Sequence, residues 1–139
     1  MATIRITKSF TFEMAHALWN YDGPCKNIHG HSYKLFVTVL GETSRDTEST
    51  KLGMVMDFSD LKKIVNHSVV DVFDHSVVVS SRASQPEIER VEQMFDKYYV
   101  VDYQPTCENL VTDMAKRIAN SLPEHVTLFS LKLVETETS

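Results

Sequence analysis

The chain has 139 residues, 42% of them hydrophobic and 24% charged, which suits one globular domain over 1–139 with its own core and excludes a fibrous repeat or a disordered tract. A formal charge of −5 and a pI near 5.6 argue against nucleic acid as a partner, since such binding relies on a basic face. No run approaches the roughly 18 apolar residues of a membrane span, and "MATIRITKSF" lacks the charged-then-apolar pattern of a secretory signal, so a cytoplasmic protein with no membrane partner is expected.

In chain order, residues 3–15 alternate as a strand, with Phe10, Phe12 and Met14 on one face and Thr11 and Glu13 on the other. That parity carries His16 onto the Phe face. Asp22, Gly23 and Pro24 predict a loop, and 31–41 ("HSYKLFVTVLG") predicts a second strand, rich in aromatic and β-branched residues. The polar stretch 41–53 reads as an exposed connection, and "MVMDF" at 54–58 as a short returning strand. Asp57 or Ser59 is expected to cap a helix with Leu61, Ile64, Val65 and Val69 on its apolar side, ending before Asp74 and His75.

Pro86 suits the first turn of a helix over 86–98, with Ile88, Val91 and Phe95 at helical intervals, followed by a short strand at 99–103. Thr106 is placed to cap a helix through 107–122, with Leu110, Met114, Ile118 and Leu122 at spacing four and Pro123 as its stop. Over 126–136 simple alternation separates Val126, Leu128, Ser130 and Lys132 from Thr127, Phe129, Leu131 and Leu133, as in a last antiparallel strand. Strands, then helices, then a strand point to an α+β fold.

Chemistry concentrates in "CKNIHGHSY" at 25–33. Strand side chains repeat with a period of two, so His29 and His31 point the same way if the backbone there is extended, with Gly30 permitting close approach. His16 supplies a third imidazole if the two strands pair. Three neutral imidazoles with an open fourth position are the usual donor set of a catalytic zinc. His67 and His125 have no such neighbours and read as solvated. Cys25 and Cys107 are expected to be free thiols, with Cys107 packing as a small apolar residue.

"FTFEMAH" at 10–16, "CKNIHGHSY" at 25–33, "GMVMDFSDLK" at 53–62, "FDH" at 73–75, "PTCENL" at 105–110 and "VET" at 134–136 together resemble the 6-pyruvoyl-tetrahydropterin synthase and 6-carboxy-tetrahydropterin synthase family. The resemblance spans nearly the whole chain. It differs in a segment 81–103 longer than expected for the carboxy branch, and in a shorter stretch after Thr136. It implies the tunnelling fold (T-fold): an antiparallel sheet with helices on one face, sheets joining across subunits into a barrel, and a homohexamer built as a dimer of trimers. It implies active sites between subunits, His16, His29 and His31 as ligands of Zn2+, Cys25 as the proton-abstracting thiol, and Asp74 with His75 as its catalytic partners. It also implies Glu135 as the pterin anchor and 7,8-dihydroneopterin triphosphate as the small-molecule substrate.

These residue types suit the chemistry. The amino-pyrimidinone edge of a pterin offers adjacent N–H donors that one carboxylate accepts together, a task for Glu135. Thr106 and Glu108 either assist that edge or serve only as helix cap and first-turn carboxylate. Zinc on the side-chain oxygens acts as a Lewis acid while a C–H proton leaves to a Cys25 thiolate.

The leading expectation is a zinc lyase of the 6-carboxy-tetrahydropterin synthase type, releasing triphosphate and acetaldehyde and feeding queuosine (deazapurine) biosynthesis. The alternative within the family is 6-pyruvoyl-tetrahydropterin synthase of tetrahydrobiopterin biosynthesis. The alternative of another class is a non-catalytic module in which Cys25, His16, His29 and His31 close a structural zinc site.

Overall fold

Alternation in the first strand, β1 (Ile4–His16), buries Phe10, Phe12, Met14 and His16, as their parity requires. The structure, a computed structural model, describes residues 2–139. Strand β2 (His29–Gly41) runs antiparallel to β1 and buries Tyr33, Leu35, Val37 and Val39. It begins two residues before the predicted start, because the ladder runs on through the pairs Ala15–Gly30 and His16–His29. The edge strand β5 (Thr127–Val134) is antiparallel to β2.

The ladder between β2 and β5 is irregular: Thr38 faces Ser130 while Val39 faces Leu128, which leaves Phe129 as an extra residue. Such a bulge resets side-chain parity. Leu128 therefore joins Leu131 and Leu133 against the core, contrary to simple alternation, and exposed Phe129 lies under the Arg5 guanidinium at 3.8 Å.

Two further strands complete the five-stranded sheet, in the order β4-β3-β1-β2-β5. Strand β3 (Ser76–Ser80) is parallel to β1, and β4 (Tyr98–Val101) is parallel to β3. The sheet is therefore mixed: the expected antiparallel pairing holds for β1, β2 and β5, and helical crossovers make the other two parallel. Strand β3 is an unbroken "SVVVS" run, buried at every position, so no alternation marked it in the sequence.

The strand expected at 54–58 does not form. Only Ser44 and Gly53–Met54 bond across the connection, Gly53 turns at a φ of 81°, and Asp57 is already the helix cap. Val55 and Met56 still reach the core. Helix α1 (Phe58–Val65) starts where the Asp57 carboxylate accepts the Ser59 N–H, runs through a π turn (Asn66–Val70) into α2 (Asp71–Phe73), and stops at Asp74 as expected. Helix α3 (Gln85–Met94) opens on a Ser84–Glu87 capping box and ends before Phe95, short of the predicted Tyr98, which pairs in β4. Helix α4 (Cys107–Ser121) is capped by Thr106, as predicted.

Leu61 and Val65 of α1, together with Leu110, Met114 and Ile118 of α4, pack on the Phe10–Phe12–Tyr33–Leu35 face in one core. Each such burial contributes roughly 1.5–3 kcal/mol. The 81–103 segment acquires a structural role here. Val91 of α3 packs with Val77 and Val79, which alternate along β3 with the core residue Val78. No helix of the described residues is long and apolar enough to cross a membrane.

Candidate metal centre and active site

The β1–β2 ladder brings the three histidines together. His16 and His29 are direct cross-strand partners, and His31 is the next residue on the same face of β2. Their ligand nitrogens all lie within 4.8 Å of one another, and among the described residues no other His, Cys, Asp or Glu joins this set. Nδ1 of His16 meets the Pro105 carbonyl at 2.7 Å, and Nδ1 of His29 meets the Asn27 carbonyl at 2.7 Å. Each carbonyl accepts a hydrogen bond from the Nδ1–H of its ring, which in the neutral imidazole leaves the lone pair on Nε2. The two Nε2 atoms then face each other at 3.1 Å as acceptors without a proton between them.

That arrangement fits a cation. Two nitrogens on one tetrahedral zinc at about 2.0–2.1 Å each stand ~3.3 Å apart, and backbone carbonyls are the usual partners for the far nitrogens of such ligands. His16 is 3% exposed, and its pKa is lowered: burial is the main cause, resisted by the Pro105 carbonyl and the Glu135 charge. The ring is thereby kept in the neutral form a metal requires.

Glu135 follows β5, and its Oε1 lies 3.5 Å from His16 Nε2 and 3.7 Å from His31 Nε2. The Tyr33 hydroxyl donates to the same oxygen at 3.0 Å. Tyr33 is fully buried, stacked on Phe12 with ring centroids 5.3 Å apart, and its phenol is pushed well up by burial and by Glu135. It therefore always donates. Sequence reasoning assigned Tyr33 nothing, although the period of two that aligns 29 and 31 also aligns 33.

Thr106 and Glu108 sit at the start of α4, where the Thr106 hydroxyl accepts the Asn109 N–H at 3.2 Å. Glu108 is exposed. Cys107 lies between these two and Glu135: burial, then the Glu135 and Glu108 charges, raise its thiol pKa, and its Sγ stands 3.6 Å from the Leu133 carbonyl oxygen. Cys107 is thus a half-buried residue beside the pterin-binding candidates.

Cys25 lies in a 3₁₀ turn, Pro24–Lys26, and its carbonyl accepts the Leu18 N–H at 3.0 Å. Both cysteines are free thiols. The Cys25 sulfur is outside the ligand set, so the closed Cys/His site of the non-catalytic alternative is not formed. His67 and His125 are exposed, as expected.

Asp74 and His75 are joined to each other, with His75 Nδ1 3.0 Å from Asp74 Oδ1. The same carboxylate oxygen accepts the Glu13 N–H at 2.9 Å, and Lys97 Nζ donates to the carbonyls of Asp71 and Asp74. Burial pushes the Asp74 carboxyl up, but the Glu13 amide, the His75 ring and the Lys97 charge outweigh it and hold the group below its ordinary value. His75 has a φ of 59°, uncommon outside glycine, and its side chain is 76% exposed. It opens on a concavity of about 330 Å³ lined by Glu13, Ala15, Gly30 and Ser32, and Cys25 is not among the lining residues.

A family model described as 6-pyruvoyl tetrahydropterin synthase matches residues 5–139. The 6-carboxy-5,6,7,8-tetrahydropterin synthase of Haemophilus influenzae is 36% identical over 138 residues, covering 97% of this chain and 94% of that protein. The 6-pyruvoyl tetrahydrobiopterin synthase of Pongo abelii is 28% identical over 145 residues, covering 96% and 86% respectively. The structure of Caenorhabditis elegans 6-pyruvoyl tetrahydropterin synthase superposes with a TM-score of 0.71 at 23% identity, over 99% of this chain and 92% of that one. The likeness of fold bears out the tunnelling-fold expectation for the chain.

Proposed function

The chain belongs to the 6-pyruvoyl tetrahydropterin synthase family, and within it we propose a zinc-dependent 6-carboxy-5,6,7,8-tetrahydropterin synthase acting on 7,8-dihydroneopterin triphosphate. One observation carries this reading: three imidazoles converge beside the Glu135 carboxylate in a chain 36% identical to a relative of that name. Zinc held by His16, His29 and His31 supplies a Lewis acid for the substrate's side-chain oxygens.

Glu135 accepts the paired N–H donors of the pterin edge, with Thr106 and Glu108 beside it. Cys25, as thiolate, takes a proton from the substrate side chain, and Asp74 with His75 handles the accompanying proton transfer. Cys25 is not among the residues lining the concavity at His75, which supports sites completed between subunits. The sheet also ends in two uncovered edge strands, β4 and β5, with Tyr98, Val100 and Phe129 exposed, which supports closure by neighbouring copies. The assembly proposed is a homohexamer, a dimer of trimers, whose sheets join into a barrel, working in the cytoplasm for queuosine-type deazapurine synthesis. Light scattering that finds a fully active monomer overturns the assembly.

Incubating purified protein with 7,8-dihydroneopterin triphosphate tests the activity. Triphosphate, acetaldehyde and a 6-carboxy-tetrahydropterin are expected. A tetrahydropterin that keeps its three-carbon side chain assigns the protein to the 6-pyruvoyl branch, and no turnover refutes both.

A further inference from the structure

We propose that Gln104 is a positioning residue that sets the loop carrying Cys25, an inference that rests on the role proposed above for that thiol. Its side-chain amide holds both backbone groups of one residue: Oε1 accepts the Trp19 N–H at 2.8 Å, and Nε2 donates to the Trp19 carbonyl at 2.7 Å. An amide carries one acceptor and one donor side by side, so it stands in for a strand neighbour where the sheet has run out. Strand β1 ends at His16, and beyond it the sheet offers only a 3.4 Å bond from Ala17 N–H to the Val78 carbonyl. One residue further on, the Leu18 N–H to Cys25 carbonyl bond closes the loop upon itself at 3.0 Å. Gln104 grips the chain immediately after that closure.

Its far end is held by the Asn27 carbonyl at His29 Nδ1 and by the bonds within the 23–27 turn, but the stretch around Trp19 has no such support. None of residues 17–28 is buried, and Trp19, Tyr21 and Ile28 are 40%, 44% and 46% exposed. A segment without buried apolar anchors opens locally at small cost unless hydrogen bonds restrain it. Gln104 is itself restrained, because its carbonyl accepts from the Thr106 N–H at 2.7 Å and from Asn109 Nδ2 at 3.0 Å. The next carbonyl, that of Pro105, orients His16. Two consecutive residues thus fix the first histidine of the metal centre and the Cys25 loop in one frame. Misplacing a reacting group by about 1 Å costs on the order of 10²-fold in rate.

The test replaces Gln104 by Met, which keeps the length and removes both bonds, and by Ala. Zinc per chain, kcat and KM with 7,8-dihydroneopterin triphosphate, and the iodoacetamide alkylation rates of Cys25 and Cys107, separated by peptide mass, are then measured. For both variants kcat is expected to fall roughly 10- to 100-fold, with KM within about twofold and zinc unchanged. Cys25 alkylation is expected to rise several-fold while Cys107 stays as in the wild type. Unchanged kcat, unchanged Cys25 alkylation or an equal rise at Cys107 overturns the proposal. Full activity of Cys25→Ala would remove the thiol as base, a failure separate from the clamp, which the alkylation rates still decide. Should both variants fail to fold, amide exchange at Trp19 in the wild-type protein decides: protection above that of Asn20 and Tyr21 supports the clamp, and exchange at the open-loop rate refutes it.

Discussion

Nε2 of His16 and Nε2 of His29 face each other at 3.1 Å as two lone pairs, because a backbone carbonyl has taken the proton-bearing side of each ring. Such a pair is satisfied by a shared cation or by a proton, and the lowered pKa of His16 disfavours the proton. Purified protein is therefore expected to hold about one zinc per chain. His29→Ala and His31→Ala should each lose metal and activity together, and chelation should abolish turnover that added zinc restores. Metal analysis that finds full zinc in the double variant sinks the assignment.

Cys25→Ala and Glu135→Ala should fail in different ways. The Cys25 sulfur lies outside the imidazole set, so its removal should leave zinc and pterin affinity nearly unchanged while turnover drops by about 10²–10⁴, the usual weight of a general base. Glu135→Ala should keep zinc and weaken pterin binding, since the ring donors lose their shared acceptor. Titration calorimetry with a pterin ligand, beside zinc content and turnover, separates the two. Loss of zinc in Cys25→Ala would make the thiol a ligand.

Asp74 links the end of α2 to β1, and its carboxyl is held below the ordinary range. An unfolded Asp titrates near about 3.9, so between that value and the lower folded one the unfolded chain binds more protons. The stability Asp74 supplies is thus complete above roughly pH 5 and drains as the pH falls through the folded pKa. Urea midpoints of the wild type and Asp74→Asn should differ at neutral pH and converge in acid. A gap that stays constant down to pH 3 would contradict this.

Face assignments in β1 and β2 were legible because one face is buried and the other solvated, so Phe10, Phe12 and Met14 announce their parity and carry His16 with them. The same period foretold the convergence of His29 and His31. Strand β3 escaped because its valines are buried on both faces and show no period. The bulge at Phe129 escaped because an extra residue leaves no mark on composition. Gln104 escaped for another reason: its partner Trp19 is 85 positions away and is held by backbone groups every residue possesses.

Away from the metal centre, Asp113 on α4 joins the helix to β4 and the segment after it. Its carboxylate accepts from the Tyr103 hydroxyl and from Arg117 Nε at 2.9 Å, and Arg117 donates onward to the Tyr99 hydroxyl at 2.7 Å. The guanidinium also lies 5.2 Å from the Phe73 ring centroid and 5.3 Å from that of Tyr99. Burial, and then the Asp113 bond, push the Tyr103 phenol well up, so it stays a donor. Asp113→Ala leaves a phenol and a guanidinium without their acceptor, at a cost of about 2 kcal/mol by the usual weight of hydrogen bonds to a charged group. Asp113→Asn keeps one acceptor oxygen and should lose less. Both should bind zinc as the wild type does, since none of these groups meets the imidazole set. Denaturant unfolding of the two variants checks the ranking, and a change within about 0.5 kcal/mol for Asp113→Ala, the range of an ordinary surface substitution, would show that the network does not bind α4 to β4.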